Sequence, residues 1–221
     1  MRLDFDGLTI DADCAIFDLD GTLIDSVGVW RDIDEEFMAK RKLPIPDDFY
    51  SKVAAMNFSE AADYVIRECG VTDPKEAVID EWYRMVKKEY SENIPMIPGA
   101  KDFLKRLKSG RVRLALATAS DPKLYIPCLE RHGCLSLFET IVTVNDVKRG
   151  KGFPDIYLLA AERLGMNPGR CIVFEDILAG CRGAKSADMY CVGVLERHSQ
   201  EAWEDIKKIC DATLENYLRL I

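Results

Sequence analysis

Only two histidines, His132 and His198, stand in the 221 residues, and no two of the eight cysteines have Cys-x-x-Cys spacing. A structural zinc site built from histidine and cysteine is therefore not expected. Cys14, Cys171 and Cys191 lie in apolar, strand-like runs, where a thiol packs as a small hydrophobe. Reduced thiols in a cytoplasmic protein are the expectation. No apolar run approaches the roughly 20 residues that span a bilayer. Basic residues are outnumbered 30 to 38, a net charge of −8. Neither nucleic acid nor an anionic membrane is an expected partner, and an anionic substrate would have to meet cations gathered locally. Residues 1–6 are acidic and hold no apolar signal core, so secretion is not expected. Internal repeats and low-complexity tracts are absent.

What is present centres on one stretch. Ala15-Ile16-Phe17 reads as a buried strand, and it stops at Asp18-Leu19-Asp20-Gly21-Thr22. Two carboxylates at the edge of a core are expensive unless a cation or a shared proton accompanies them. In open parallel sheets ligands bind beyond the carboxyl ends of strands. Place and chemistry together predict a divalent, oxygen-ligated metal and an anionic substrate.

Residues 3–10 alternate loosely and predict a small strand or hairpin. From Gly28 the period turns helical, with Val29, Trp30, Ile33, Phe37 and Met38 as apolar positions, ended by Pro44 and Pro46. A second helix is expected over 59–69, stopped by Gly70. A third opens with Asp73 as N-cap, Pro74 at N1 and Glu76 at N3, and runs to about Tyr90. Residues 94–99 form a stiff connector. Helix and strand then alternate. Strands are expected at 112–117, 141–144, 171–174, 190–194 and 211–214. Helices are expected at 100–108, from Asp121-Pro122, at 154–164 and at 177–187, with Pro127 kinking the second or limiting its first turns. This pattern predicts an α/β fold: a Rossmann-like, doubly wound parallel sheet over 1–27 and 94–221, with a small all-α cap inserted over 28–93.

Four groups fall at strand ends of that sheet: Asp18 with Asp20, Thr118, Lys151, and Glu175 with Asp176. Each alone has a plain reading as a cap, a solvated lysine or a helix start. Their order along successive strands fits phosphate-ester cleavage, one of the slowest biological reactions unaided. A dianionic substrate repels a carboxylate nucleophile until its charge is neutralised. Mg²⁺ can do so on one side, and a lysine ammonium with a threonine hydroxyl on the other. One carboxylate can then attack, and a second can protonate the leaving alkoxide and later activate water.

The string Phe17-Asp18-Leu19-Asp20-Gly21-Thr22-Leu23-Ile24-Asp25-Ser26 resembles the first motif of the haloacid dehalogenase superfamily, and the other three groups match its remaining motifs in order. Within it, the chain is similar to the helical-cap branch of β-phosphoglucomutase and related sugar-phosphate phosphatases. The resemblance implies Asp18 as nucleophile and metal ligand, and Asp20 as acid/base with its backbone carbonyl on the metal. It implies Thr118 and Lys151 on the phosphoryl oxygens, assisted by Leu19, Ala119 and Ser120. Asp176 would bind Mg²⁺, and Glu175 would bind it directly or through water. Two departures separate this chain from the mutase pattern. Trp30 stands where the mutase carries a cap histidine, and Ala55-Met56-Asn57-Phe58-Ser59-Glu60 lacks the arginine that grips a distal phosphate. Hydrolysis of a small sugar or polyol phosphate through an aspartyl-phosphate is therefore expected, with a phosphohexose mutase as the alternative. A phospho-accepting signalling module is disfavoured, because it has no use for the helical insertion or for Asp20. Trp30, Met56, Asn57 and Phe58 are the expected cap residues facing substrate. Hinges are expected at 27–30 and 93–99, with an open form when substrate is absent.

Overall fold

Cys14–Phe17 is a four-residue strand with every residue buried, and it lies at the middle of the main sheet. The computed structural model describes residues 2–5, 8–198 and 200–220. Two short strands, β1 (Arg2–Phe5) and β2 (Leu8–Asp11), pair antiparallel with Leu3 opposite Ile10. The joining residues Asp6 and Gly7 lie outside the described residues. The central strand is β3 (Cys14–Phe17). The helical block follows: α1 (Val27–Lys40), α2 (Phe49–Val53), α3 (Phe58–Glu68), α4 (Lys75–Lys88) and a π-helical turn at Glu89–Asn93. Then come α5 (Ala100–Ser109), β4 (Arg113–Thr118), α6 (Pro122–Arg131), β5 (Thr140–Thr143) and α7 (Asp155–Leu164). The chain finishes with β6 (Cys171–Glu175), α8 (Leu178–Ser186), β7 (Tyr190–Val194), α9 (Trp203–Ile209) and β8 (Ala212–Leu214).

The six strands run in the order β5-β4-β3-β6-β7-β8, with every pairing parallel. Strand order reverses at β3, since β4 lies on one side and β6 on the other. That is the switch point where a crevice opens in a doubly wound sheet. Register decides what meets there. Phe17 is level with Leu116 and with Phe174, so Asp18, Thr118 and Glu175 leave three adjacent strands at nearly one height. The Phe17 and Phe174 rings stack at 4.6 Å, and Phe103 of α5 meets them edge-on at 6.2 and 5.4 Å. This aromatic cluster fixes the strand ends just below the carboxylates.

The helical block has its own apolar seam. Phe37 of α1 meets Trp82 of α4 at 5.1 Å, and Arg41 ties Asp73 (2.8 Å) and Glu81 (2.7 Å) together. That contact corrects the expected cap of α4. Pro74, not Asp73, is the N-cap, without a side-chain hydrogen bond, because the Asp73 carboxylate is held by Arg41. Pro127 lies inside α6 and the helix runs on past it; one missing N–H, facing the Lys123 carbonyl, does not end it. The short helices α2 and α9 were not expected.

The expected hinges also shift. α1 already begins at Val27, so the first crossing precedes it. The two crossings run side by side, with Asp25 N donating to Pro95 O (3.0 Å) and Ile97 N to Leu23 O (2.9 Å). The block sits on the sheet domain. Asn57 Nδ2 donates to Asn145 Oδ1 at 2.8 Å, and Lys123 lies 5.5 Å from the Tyr83 ring centroid. Among the described residues no helix is long and apolar enough to cross a membrane. All eight cysteines are free, and the sulfurs of Cys181, Cys191 and Cys210 lie within 4.8 Å of one another despite their irregular spacing.

Candidate active site

Three carboxylates and one ammonium meet at the carboxyl edge of the sheet. Ligand oxygens of Asp18, Glu175 and Asp176 lie within 4.8 Å of one another, and all three residues are buried. Lys151, from the loop between β5 and α7, is 2% exposed. Its Nζ donates to Asp18 Oδ1, and to Glu175 Oε2 at 2.9 Å. An ammonium has three protons, so one is left for a ligand. Burial opposes the charge on Lys151, but Asp18 and Glu175 together hold its pKa above the ordinary lysine value.

The carboxylates feel the opposite imbalance. Burial pushes Asp18 up to about 6, against the pull of Lys151. Burial, then the charges of Asp18 and Glu175, push Asp176 well above the usual carboxylate range. One cation cannot neutralise three buried carboxylates. The set consists of hard oxygen donors with surplus negative charge, which fits a hard divalent cation such as Mg²⁺. The Asp20 carboxylate is not part of this set; its expected place rested on its backbone carbonyl.

Asp20 is turned to other partners. Ser26 Oγ donates to Oδ1 at 2.6 Å, Ser120 Oγ to Oδ2 at 2.6 Å, and the Tyr90 hydroxyl to Oδ1. Burial first, then Asp18, raise its pKa, while these three hydrogen bonds hold it down. Thr118 is fully buried, and its Oγ1 accepts the Ser120 N–H at 3.0 Å. The Thr118 hydroxyl proton therefore remains to be donated elsewhere. Leu19 reaches the site only through its backbone N–H, which faces Asp18; its side chain is in the core.

Above the carboxylates lies a cavity of about 170 Å³, bounded by Asp18, Asp20, Ala119, Ser120 and Lys151 on the sheet side. Trp30 and Asn57 both line it from the helical block. Neither points a free polar group at it. Trp30 Nε1 donates to the Tyr90 hydroxyl at 2.7 Å. The Asn57 side chain caps α3, accepting Glu60 N at 2.9 Å, besides its bond to Asn145.

Sequence reasoning passed over Tyr90, Ser26, Thr22 and Tyr157. Thr22 Oγ1 donates to Asp176 Oδ1 at 3.0 Å, and the Tyr157 hydroxyl to Glu175 Oε2 at 2.9 Å. Tyr90 continues the buried stripe Val78-Trp82-Val86, so its spacing reads as core. Two glycines of α8 were missed as well. A Cβ on Gly180 would lie 2.3 Å from the Glu175 carboxyl carbon, and one on Gly183 only 2.1 Å from the Lys151 carbonyl oxygen.

A family model described as haloacid dehalogenase-like hydrolase matches residues 15–194. The chain is 30% identical over 175 residues to the phosphorylated carbohydrates phosphatase of Thermotoga maritima, spanning 79% of this chain and 81% of that protein. It is 32% identical over 195 residues to the validoxylamine A 7'-phosphate phosphatase of Streptomyces hygroscopicus subsp. limoneus, spanning 85% and 88%. The crystal structure of β-phosphoglucomutase from Clostridium difficile superposes with a TM-score of 0.79 at 23% identity, covering 95% of this chain and 93% of that one.

Proposed function

This chain belongs to the haloacid dehalogenase-like hydrolases, and from that membership and its site we propose that it is a Mg²⁺-dependent phosphatase of a small sugar or polyol phosphate. The observation that carries the reading is the convergence of Asp18, Glu175 and Asp176 around Lys151, with Asp20 held two residues beyond Asp18. The phosphatases related to this chain at 30% and 32% identity support the substrate class.

Asp18 attacks phosphorus and forms an aspartyl-phosphate as the ester P–O bond breaks. Asp20, protonated at that moment, gives its proton to the departing alkoxide. It then takes one from the water that attacks the phosphoryl group, releasing phosphate and restoring Asp18. The third Lys151 proton and the Thr118 hydroxyl hold phosphoryl oxygens. Asp18, Asp176 and Glu175 would hold Mg²⁺, with the Asp20 carbonyl, and a bound ion would neutralise charge on the transferring group. The helices from α1 to the π-helical turn act as a cap that keeps bulk water out.

The test is phosphate release from a panel of small phosphate esters, with Mg²⁺ and with EDTA. Metal-dependent release from a sugar or polyol phosphate is expected. Conversion of β-glucose 1-phosphate to glucose 6-phosphate without free phosphate would replace this reading with a mutase.

Tyr90→Phe tests how Asp20 is tuned. The substitution removes one hydrogen bond to the carboxylate, so the Asp20 pKa rises further. A group that must be protonated then keeps its proton to higher pH. The alkaline limb of kcat/KM is expected to move up by about 0.5–1 in pH, the equivalent of one ordinary hydrogen bond. An unmoved limb would detach Tyr90 from Asp20.

A further inference from the structure

The wall of the cavity supplied by the helical block carries polar groups that the proposed mechanism does not use. Asp34 of α1 lines the cavity, is 7% exposed, and makes no hydrogen bond or ion pair among the described residues. Two further lining side chains end in buried, unpartnered atoms: the Tyr50 hydroxyl and Trp82 Nε1. Trp82 itself is 3% exposed. A buried polar group without a partner costs on the order of 1–3 kcal/mol, so three in one apolar pocket are costly without a ligand. Arg31 lines the same cavity. Arg31 lies over the Tyr50 ring at 4.6 Å and pairs with Glu201 at 3.6 Å.

We infer that Asp34, Tyr50 and Trp82 form a recognition subsite for the leaving alcohol, reading a hydrogen-bond-donating group, hydroxyl or amino, at its end remote from the phosphate. The inference rests on the phosphatase reading and deepens it. Asp34 accepts from the remote donor. Where that group is a hydroxyl, Trp82 Nε1 donates to its oxygen and the Tyr50 hydroxyl accepts or donates; where it is an ammonium, which has no lone pair, Asp34 and the Tyr50 oxygen accept from it. Val53, Met56, Phe58 and Ala61 supply apolar walls for the carbon chain between. Burial alone pushes Asp34 up to about 7. A bound donor stabilises its ionised form, whereas a second phosphate or a carboxylate would face an acid in a low-dielectric wall and be rejected.

The test compares n-butyl phosphate with its terminally amino-, hydroxyl- and phosphate-substituted counterparts, using wild type, Asp34→Asn and Tyr50→Phe. Wild type is expected to favour the amino or hydroxyl ester over n-butyl phosphate at least tenfold in kcat/KM, and to disfavour the bisphosphate. In Asp34→Asn the amino-to-butyl ratio falls at least tenfold and the bisphosphate penalty shrinks. In Tyr50→Phe the hydroxyl-to-butyl ratio falls several-fold. Ratios within twofold of wild type in both variants would overturn the subsite. If no ester is hydrolysed with Mg²⁺, the phosphatase reading fails and the subsite is read by melting temperature. Aminobutanol should then raise the wild-type melting temperature but not that of Asp34→Asn, and equal shifts or none would overturn the inference.

Discussion

Asp18→Asn lowers turnover of any ester in the panel by about 10⁴-fold or more, the scale on which enzymes lose activity with their nucleophile. Asparagine keeps the shape but is no nucleophile. The chain should still fold, because β3 and its aromatic cluster are untouched and Lys151 keeps Glu175. Stability without metal provides a second readout. Asp18 is raised from 3.8 to about 6 by burial. Between those values the native state holds a proton that the unfolded chain has released, so this group's contribution to stability falls as pH rises through 6. Asparagine removes that loss. In EDTA, the melting temperature of Asp18→Asn relative to wild type should therefore increase from pH 5 to pH 8. Turnover above 1% of wild type would remove Asp18 from the nucleophile's role.

Lys151→Met loses both activity and stability. It strips the ammonium from two buried carboxylates that it bonds directly. Removing one partner of a buried ion pair costs about 3–5 kcal/mol. For a chain of this size that is a fall in melting temperature on the order of 10 °C. The deficit should grow as pH rises above about 6 and be smallest below it, because Asp18 is already held near 6 beside the ammonium and keeps its proton to higher pH without it. Added Mg²⁺ should recover part of it. Turnover falls a further 10²–10³-fold or so from the lost phosphoryl contact. A melting temperature within 2 °C of wild type at pH 8 would mean that the carboxylates are neutralised otherwise.

The sheet was legible because its strands are short apolar runs broken by turn residues, and Asp18, Thr118 and Glu175 could be placed because each ends such a run. What stayed hidden has a common cause. Tyr90, Tyr157, Ser26 and Thr22 act through single hydroxyls, which leave no periodic trace. Asp34 did leave one, since it stands four residues from both Trp30 and Met38 and so interrupts the apolar stripe of α1 with a carboxylate. Arg41 was unreadable as the partner of Asp73 because the two are joined only by the packing of α1 near α4. The position of the helical block could not be read from spacing at all; it depends on contacts such as Asn57 with Asn145 that span the chain.

The helix behind the site is shaped by what it omits. Leu178–Ser186 spends two of its nine positions on glycine, each about 1 kcal/mol worse than alanine in a helix interior. The gain is closeness: the Glu175 carboxyl lies where one methyl group would be, and the Lys151 carbonyl where the other would be. A stabilisation screen that exchanges helical glycines for alanines would favour α8 on propensity and damage it in practice. At Gly180 the added methyl would displace the Glu175 carboxylate, and at Gly183 it would push away the backbone that carries Lys151. Part of this site is therefore encoded in two residues that contribute no functional group, and their tolerance to substitution reports on its geometry as directly as any carboxylate does.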